Sequence, residues 1–255
     1  MGIKFLLQEY LKERPLFLSL IRAKEAELYQ KFLPLKKPVL DVGIGDGFFA
    51  KMVFAKKIID IGLDLEESRI NEARRLKIYR ELLTFDGINI PFPNNFFSTI
   101  VSNCVLEHVL DLKALLKEVH RVLKPNGTFL TTVMAKPWED HLYGAKIFGR
   151  FYKDWMRKTQ VHRNLLSRTE WDKSFERSGF KISKRIGYLT STACSLIDIC
   201  HYLSLPSLVT YKLFGRWVLF PQMNFVYPVD YLTNILSKDI NSDQSGAIFY
   251  VLRKS

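Results

Sequence analysis

The sequence predicts an α/β protein built around a parallel β-sheet. Short apolar runs rich in Val and Ile, such as residues 39–42 and 58–63, alternate along the chain with segments of helical periodicity. Strands that alternate with helices form right-handed βαβ units, which place the strands parallel to one another in one sheet. A chain of 255 residues is long enough for one such domain with a buried core and additional segments.

Between residues 16 and 133 the predicted elements follow one another regularly. An amphipathic helix is expected over residues 16–32, where apolar side chains recur among charged ones at helical spacing. The predicted strands are residues 39–42, 58–63, 82–85, 99–102 and 128–133, and the helices among them are residues 48–55, 66–77 and 110–123. The turn sequence Pro-Asn-Gly at residues 125–127 ends the last of these helices.

The second half of the chain departs from this alternation. Residues 135–168 are aromatic and basic, and we expect them to form an irregular lid segment. The remaining expected elements are a helix over residues 167–178 and strands over residues 180–186 and 246–252. We therefore expect an N-terminal helical cap over residues 1–37 and a main domain over residues 38–186 and 246–255.

Residues 187–245 are expected to form an apolar insertion before the last strand. Asp198 and Pro206 interrupt its most apolar part, which makes a membrane-spanning helix a poor interpretation. Three interpretations remain open for this insertion. It closes over the site as a substrate lid, it rests in a membrane interface, or it packs as an ordinary hydrophobic subdomain or dimer contact.

The most informative residues follow the first strand, where Asp41 precedes three glycines at alternate positions, Gly43, Gly45 and Gly47. Glycine allows a tight strand-to-helix turn in which a ligand packs directly against the backbone. The amides of this turn and the N-terminus of the next helix would face the same cavity. The dinucleotide pattern G-x-G-x-x-G needs a further glycine at position 48, where the chain has Phe48, so a different cofactor is indicated.

These residues resemble motif I of the class I S-adenosylmethionine-dependent methyltransferases. Residues 91–109, which end in Ser-Asn-Cys-Val-Leu-Glu-His-Val, are similar to a segment of the small-molecule branch of that class, with Ser98 in place of the usual aspartate. Residues 121–127, Arg-Val-Leu-Lys-Pro-Asn-Gly, resemble the turn before the fifth strand. The resemblance is close over residues 38–134, and the motifs are similar to those of the ubiquinone-pathway O-methyltransferases.

The resemblance implies a Rossmann-like α/β fold. Its sheet would have the order 3-2-1-4-5-7-6, with strand 7 antiparallel, helices on both faces and the apolar insertion before the last strand. It also implies S-adenosyl-L-methionine as the cofactor and S-adenosyl-L-homocysteine as the product.

Several side chains are expected to hold the cofactor. Asp64 ends the second strand, where it would accept hydrogen bonds from both ribose hydroxyls or, alternatively, cap the next helix. Leu65 would pack on one face of the adenine. Asp86 would contact the adenine amino group or simply stabilise a turn. The expected cofactor residues are Asp41, Gly43, Gly45, Asp46, Gly47, Asp64, Leu65, Asp86, Gly87, Asn103 and Val105.

Two histidines are candidates for a general base. His108 follows the fourth strand beside the methyl-donor end of the expected crevice, and an imidazole pKa suits proton removal from a hydroxyl. Its alternative role is structural, through a bond to Asn103 or to a backbone carbonyl. His162 precedes a predicted helix and is either a substrate-facing residue or a solvent-exposed loop histidine. No metal is expected, because Cys104 stands where the ubiquinone-pathway enzymes have an additional Glu.

Four further residues are weaker candidates for substrate contacts. Arg22 and Glu25 lie on the N-terminal helix, where they would gate or bind substrate, although a salt bridge between positions i and i+3 explains the pair equally well. Tyr143 and Trp155 would form part of an aromatic wall beside the substrate, or simply pack.

The net charge of +12 is concentrated in one part of the chain. Residues 38–149 carry 14 Lys/Arg and 14 Asp/Glu, whereas residues 150–185 carry 11 and 4, a difference of +7. Such a segment suits an anionic partner, whether a phosphorylated substrate, a lipid surface or RNA, or is an ordinary solvated face. Three cysteines without a metal or disulfide spacing indicate a reducing cytoplasm.

These observations predict a methyltransferase that acts on a small or lipid-linked acceptor at a hydroxyl oxygen. The protein would be cytoplasmic or peripheral at the inner face of the membrane, with membrane contact through residues 187–228, and homodimerisation is left open. A tRNA or rRNA methyltransferase is the enzymatic alternative, which the local distribution of charge makes less favourable. A cofactor-binding, membrane-associated factor without catalysis is the other alternative.

Overall fold

The computed structural model describes residues 1–54, 58–238 and 240–254. Their strands form a seven-stranded sheet of order β3-β2-β1-β4-β5-β7-β6. The strands are β1 (Val39–Val42), β2 (Ile59–Asp64), β3 (Tyr79–Thr84), β4 (Phe97–Asn103), β5 (Leu123–Met134), β6 (Phe180–Tyr188) and β7 (Ala247–Lys254). The predicted strand order is confirmed.

The first five strands are parallel, and β7 runs antiparallel to both of its neighbours. Because the carboxyl ends of β1, β2 and β4 therefore lie at one edge of the sheet, the loops that follow them meet there. All four residues of β1 are buried, as expected for a central parallel strand that is covered on both faces.

Helices cover both faces of the sheet and connect its strands. They are α1 (Ile3–Glu13), α2 (Leu16–Gln30), α3 (Phe48–Phe54), α4 (Ile70–Leu76), α5 (Leu112–Val122), α6 (Pro137–His141), α7 (Tyr143–Thr159), α8 (Arg168–Arg177), α9 (Ser191–Leu203), α10 (Leu205–Phe214) and α11 (Val229–Leu236), with a 3₁₀ helix at Pro221–Val226. Alternate strand residues point to opposite faces, and they divide between two apolar clusters. Val39 belongs to the cluster with α1 and α2, whereas Leu40 belongs to the cluster with α5 and α8.

The N-terminal segment contains two helices, where the sequence analysis expected one. Its apolar side chains at helical spacing, Ile3, Leu6, Leu7, Tyr10 and Leu11, are all buried. Helix α1 packs on α2, and together they cover the edge of the sheet near the glycine turn.

The expectation of an irregular segment over residues 135–168 is wrong. Two helices occupy most of it, α6 and the longer α7, and α7 contains one non-helical residue, Gly149, with φ 57° and ψ −137°. Apolar and basic side chains alternate along α7, and the glycine divides it into two parts. Both features hide its helical periodicity in the sequence.

The insertion before β7 is largely helical. It contains α9, α10, the 3₁₀ helix and α11, and α9 packs on α2 and α7. Among the described residues, no single helix is long and apolar enough to cross a bilayer, although α9 and α10 together reach that length and composition with a 46° bend between them. Residue 239, also within this insertion, lies outside the described residues.

Candidate active site

The glycine turn lies between β1 and α3, and each of its glycines has a positive φ. The φ values are +78° at Gly43, +56° at Gly45 and +74° at Gly47, a region that other residues rarely adopt. A Cβ atom at Gly43 would lie 2.3 Å from Cγ2 of Val105, so this position is closed by the loop after β4. A Cβ atom at Gly45 would meet no atom within 4 Å, because Gly45 faces a cavity.

That cavity has a volume of about 720 Å³, which is within the range of small-ligand and cofactor sites. The glycine turn, the loops after β2, β3 and β4, and the facing surfaces of α1 and α2 enclose it. Ten of the eleven expected cofactor residues line the cavity: Asp41, Gly43, Gly45, Asp46, Asp64, Leu65, Asp86, Gly87, Asn103 and Val105. The eleventh, Gly47, instead packs closely on Ala73 of α4.

Asp64 holds the turn in place through its carboxylate. Oδ2 accepts a hydrogen bond from the amide of Gly45 at 2.6 Å, and Oδ1 accepts one from the amide of Leu65 at 2.7 Å. Partial burial raises the pKa of Asp64, although these two amides act in the opposite direction. The alternative role considered for Asp64 was to cap the next helix. Its observed contacts do not include such a cap, since α4 begins only at Ile70.

Asp46 joins three elements around the cavity. Its Oδ1 accepts from the amide of Phe48 at the start of α3, at 2.9 Å. Its Oδ2 lies 2.8 Å from the guanidinium of Arg14, which follows α1, and 3.2 Å from that of Arg69, which precedes α4. One carboxylate thus bridges two arginines that both line the cavity.

Asp41 is buried at the base of the cavity. Its Oδ2 accepts a hydrogen bond from the Tyr79 hydroxyl at 2.7 Å. Burial raises the pKa of Asp41 to about 7, partly offset by that hydrogen bond. The carboxyl is therefore divided between its neutral and charged forms near neutral pH.

Asp86 stabilises the turn that it begins. It accepts from the amides of Ile88 and Asn89 at 2.9 and 2.7 Å, and from the Asn89 side chain at 2.5 Å. These hydrogen bonds lower its pKa. The observed contacts of Asp86 are those of an acid that stabilises a turn. The residue is also exposed and lines the cavity, so its contact with the adenine amino group stays a prediction.

A buried polar network lies behind the cavity and centres on Glu25. Its carboxylate pairs with the Arg22 guanidinium at 2.6 Å and accepts hydrogen bonds from Asn103 Nδ2 at 2.8 Å, Cys104 Sγ at 2.9 Å and the Tyr188 hydroxyl at 3.0 Å. Arg22 lines the cavity, whereas Glu25 is fully buried behind it. The salt bridge considered for this pair is present, and contact of Arg22 with substrate stays a prediction.

Tyr10 contributes an unpaired donor to the cavity. Its side chain is 1% exposed, and its ring packs edge-on against Phe48. Among the described residues, its hydroxyl has no hydrogen-bond partner. An unsatisfied buried hydroxyl costs free energy, so a polar ligand atom in the cavity is the natural partner for it.

His108 lies on the cavity wall beyond β4. Its Nδ1 is 3.1 Å from the backbone carbonyl of Val161, and since a carbonyl only accepts, Nδ1 carries the proton and Nε2 is the basic nitrogen. Burial lowers the pKa of His108, which keeps the ring neutral at pH 7. A hydrogen bond to a backbone carbonyl was the structural role considered for His108. The same hydrogen bond would also orient the ring of a general base.

The second histidine lies beside the first but outside the cavity lining. The ring centroids of His162 and His108 are 5.3 Å apart. Burial and the neighbouring imidazole lower the pKa of His162 to about 4. It is therefore a weak base at neutral pH, and its catalytic role stays a prediction.

The comparisons with known proteins agree with this geometry. Residues 40–131 match a family model described as a methyltransferase domain. Over 109 residues the chain is 30% identical to a demethylmenaquinone methyltransferase of Symbiobacterium thermophilum, covering 39% of this chain and 43% of that protein. Over 106 residues it is 32% identical to a malonyl-[acyl-carrier protein] O-methyltransferase of Yersinia pestis, covering 41% and 39%. The chain thus spans less than half the length of either relative.

A solved structure shows the same fold over the whole chain. It is an S-adenosylmethionine-dependent methyltransferase of Thermotoga maritima, with a TM-score of 0.61, 16% identity and 100% coverage of both chains. Residues 40–131 of this chain are thus similar in sequence to a methyltransferase domain, and the chain as a whole shares its fold with that S-adenosylmethionine-dependent enzyme.

The cavity has features that fit S-adenosylmethionine, the cofactor named for that relative. Gly45 leaves open space against which an adenosyl ligand can pack, and Asp64 lies beside it at the edge of the sheet, where its contact with ribose hydroxyls stays a prediction. The amino group and sulfonium of the cofactor are positive and its carboxylate is negative, which suits a wall that carries both Asp41 and the cluster of Asp46 with its two arginines. The unpaired hydroxyl of Tyr10 supplies a further donor in the same cavity.

The two aromatic substrate candidates lie away from the cavity. Tyr143 and Trp155 are on α7 and are 48% and 44% exposed, and neither is among the lining residues. Their contact with a substrate stays a prediction, and it would require a substrate that is bound outside this cavity.

Sequence reasoning missed part of the cavity. Tyr10, Arg14, Leu18, Arg69 and Arg163 line it without having been predicted. Tyr10 would have followed from the helical spacing of apolar residues in α1. The others are solvated charges or an ordinary apolar residue in the sequence, and only the tertiary arrangement brings them to the cavity.

Proposed function

We propose that this methyltransferase transfers the methyl group of S-adenosylmethionine to a hydroxyl oxygen of a small or lipid-linked acceptor. The observation that carries this proposal is the orientation of His108. Its Nδ1–H is held by the Val161 carbonyl, and its ring lies on the cavity wall with Nε2 as the basic nitrogen. A positioned neutral imidazole is suited to accept the proton of a hydroxyl group.

The cofactor supplies an activated methyl group, and the chain supplies positioning and a proton acceptor. Asp64 and the glycine turn fix the adenosyl end, and Tyr10 and Arg22 also line the cavity. Holding donor and acceptor in line contributes on the order of 7–11 kcal/mol to such a reaction. Proton removal by His108 contributes a further factor of roughly 10² to 10⁴.

The relatives support a lipid-linked or carrier-linked acceptor. The names of the two relatives refer to a menaquinone precursor and to a malonyl group on acyl-carrier protein. Both acceptors combine a small reactive head with a long or bulky carrier. The cavity of this chain has room for a small head beside the cofactor, while a carrier would stay outside.

The test is a methyl-transfer assay with tritiated S-adenosylmethionine and total lipid extract or total tRNA as acceptors. We expect base-resistant label in the lipid fraction. We expect His108→Asn to lower its rate by roughly 10² to 10⁴, with the cofactor dissociation constant unchanged by calorimetry. The wild-type rate should rise with pH and reach its plateau at a lower pH than an ordinary imidazole allows, because burial lowers the pKa of His108.

The control is His162→Asn, since this ring contacts His108 without lining the cavity. It should change the rate much less than His108→Asn. Label in tRNA alone would overturn the proposal in favour of an RNA methyltransferase. Cofactor binding without transfer to either fraction would favour a non-catalytic factor.

A further inference from the structure

A large apolar surface is exposed on α7. Phe148, Phe151 and Trp155 are 63%, 80% and 44% exposed, and Ile147 beside them is 56% exposed. Soluble proteins rarely leave so many large apolar side chains of one helix in water without a partner. The aromatic ones are the residue types that settle at the boundary between lipid and water.

A second apolar surface lies on α10 and the end of α9. None of the ten residues of α10, all of them described, is buried. Leu203, Leu213 and Phe214 are 67%, 70% and 62% exposed. The apolar side chains of this helix gain little stability from packing on their own domain, so an apolar partner outside the domain is indicated.

The two surfaces are joined by a buried polar contact between α7 and α9. The Tyr152 hydroxyl lies 2.5 Å from Oδ1 of Asp198 and 2.5 Å from the Tyr202 hydroxyl. Oδ2 of Asp198 accepts from the amide of Gly144 at 2.9 Å, and Asp198 is 2% exposed. These contacts hold α7 against α9, and α10 follows α9 along the chain; we call the exposed side chains of these helices together the docking face (α7 with residues 199–214).

The charges around the docking face have mainly one sign. Residues 137–166 contain six Lys/Arg and three acids, of which Glu139 and Asp140 pair with Arg157 and Lys153. Residues 189–228 contain Lys212, Arg216 and one acid, the buried Asp198. The side chain of Arg150 is 94% exposed. A second copy of this chain would bring like charges together, whereas an anionic bilayer matches both the apolar centre and the cationic surroundings.

We propose that the docking face binds the interface of a bilayer that contains anionic lipid. Aromatic and aliphatic side chains of α7 and α10 enter the head-group boundary, and Arg150, Lys212 and Arg216 remain at the level of the phosphates. The face also adjoins the cavity, because the Tyr211 hydroxyl of α10 is 3.3 Å from Glu72 of α4, three residues from the lining residue Arg69. Delivery of a lipid-linked acceptor to the cavity rests on the proposed function; the binding itself does not.

The experiment measures sedimentation of the full-length protein with sucrose-loaded vesicles. One set of vesicles contains phosphatidylcholine with about 40 mol% phosphatidylglycerol, which makes the membrane surface anionic. The other set contains phosphatidylcholine alone. We expect binding to the first set that weakens at high salt, where phosphate attraction is screened. Binding should fall at least about tenfold in the double variant F148S/F151S and about threefold in Arg150→Gln.

Two control variants make the result specific. Arg80→Gln removes an arginine that is 71% exposed on β3 and, like Arg150, has one loose acidic partner. Phe5→Ser removes an exposed apolar ring on α1. Both should bind vesicles as the wild type does, and circular dichroism confirms that every variant is folded.

Absence of vesicle binding by the folded wild type would overturn the proposal, as would an equal loss in Arg80→Gln. A dimer in ultracentrifugation that F148S/F151S dissociates, without vesicle binding, would assign the face to a second copy instead. Vesicle binding needs neither cofactor nor acceptor. A failure of the methyl-transfer assay therefore leaves this result intact, and the reverse is also true.

Discussion

Two buried tyrosines differ in what their hydroxyls contact. The Tyr29 hydroxyl donates to the Ser102 carbonyl at 2.7 Å, and the Tyr10 hydroxyl has no partner within the described part of the chain. The first hydroxyl therefore serves the fold, and the second is available to a ligand in the cavity that Tyr10 lines.

We expect Tyr10→Phe to weaken S-adenosylmethionine binding by about three- to tenfold, the equivalent of one hydrogen bond of roughly 1 kcal/mol. Protein stability should stay the same or rise slightly, because no internal hydrogen bond is lost. Tyr29→Phe is the matched variant, and it should lower stability with cofactor affinity unchanged. Titration calorimetry and chemical denaturation give both quantities. Equal affinity for wild type and Tyr10→Phe would contradict the assignment.

Glu107 is a buried carboxyl with one atom unsatisfied. Oε1 accepts a long hydrogen bond from the Met134 amide at 3.3 Å, and Oε2 has no partner among the described residues. Burial raises the pKa of Glu107 to about 7. The folded state therefore holds this proton more tightly than the unfolded state, in which the pKa is near 4.5.

This residue makes stability depend on pH in a defined direction. Its contribution is full below pH 4.5, and stability falls as pH rises from there to about 7, where the folded state also loses the proton. The total loss is on the order of 3 kcal/mol at 1.4 kcal/mol per pKa unit. Glu107→Gln cannot titrate, so its stability relative to wild type should increase between pH 5 and pH 8. Urea denaturation at both pH values checks this, and a constant difference would contradict it.

At the scale of single elements, the glycine turn is the feature most constrained by geometry. Gly43 and Gly45 both have positive φ, but only Gly43 has a neighbour, Val105, in the space of a Cβ atom. Backbone strain therefore applies to both positions, and a steric clash applies to one.

We expect Gly45→Ala to cost about 1–2 kcal/mol of stability through the left-handed backbone alone. Gly43→Ala should cost more, because it adds a steric clash to the same backbone strain. Adding V105A to Gly43→Ala should restore the stability lost to the clash but not the stability lost to the strain. Because Gly45 faces the cavity, Gly45→Ala should also weaken cofactor binding at least tenfold. Thermal denaturation and calorimetry measure the two effects. Unchanged affinity in Gly45→Ala would show that the ligand does not approach this turn.

The elements that could be predicted are those whose signal is local. Strands β1 and β2 are short buried runs rich in Val, Leu and Ile, Gly43 follows β1 and Asp64 ends β2, and β4 is buried over all but its last residue. Helix α8 begins with a capping box between Ser167 and Glu170, at the position where the sequence analysis places the start of a helix. Helix α7 was missed because Gly149 interrupts it and because its apolar side chains face solvent instead of the core.

The same division applies within the site. The lining residues in the glycine turn and at the strand ends could be identified from the sequence, because the carboxyl ends of parallel strands meet at one edge of the sheet whatever the rest of the chain does. The contact of Asp41 with Tyr79 and the unpaired state of Tyr10 depend on packing between distant elements. No local pattern encodes such contacts.

At the scale of the whole molecule, one carboxylate joins the N-terminal helices to the sheet. Glu25 on α2 contacts Arg22, the end of β4 through Asn103, and β6 through Tyr188. It is fully buried, so removal of the carboxylate leaves the arginine charge without its partner in a poorly solvated place.

We expect Glu25→Ala to destabilise the protein by about 3–5 kcal/mol. Glu27→Ala is the matched control on the same helix, since Glu27 also pairs with a cation three residues away, Lys24 at 3.0 Å, but is partly exposed. That variant should cost less than about 1 kcal/mol. Chemical denaturation of both variants decides the matter, and similar losses would mean that Glu25 acts only through its local helical pair.

The bridge formed by Asp46 has a consequence for the speed of ligand exchange. Arg14 and Arg69 approach this one carboxylate from α1 and from α4, so the two walls cannot separate without breaking an ion pair. A ligand that leaves between them meets an electrostatic barrier, because an ion pair that is present in both closed states, with and without ligand, is broken while the walls are apart. Added salt lowers that barrier and accelerates entry and exit together. Turnover limited by product release would then increase with ionic strength while equilibrium affinity changes little.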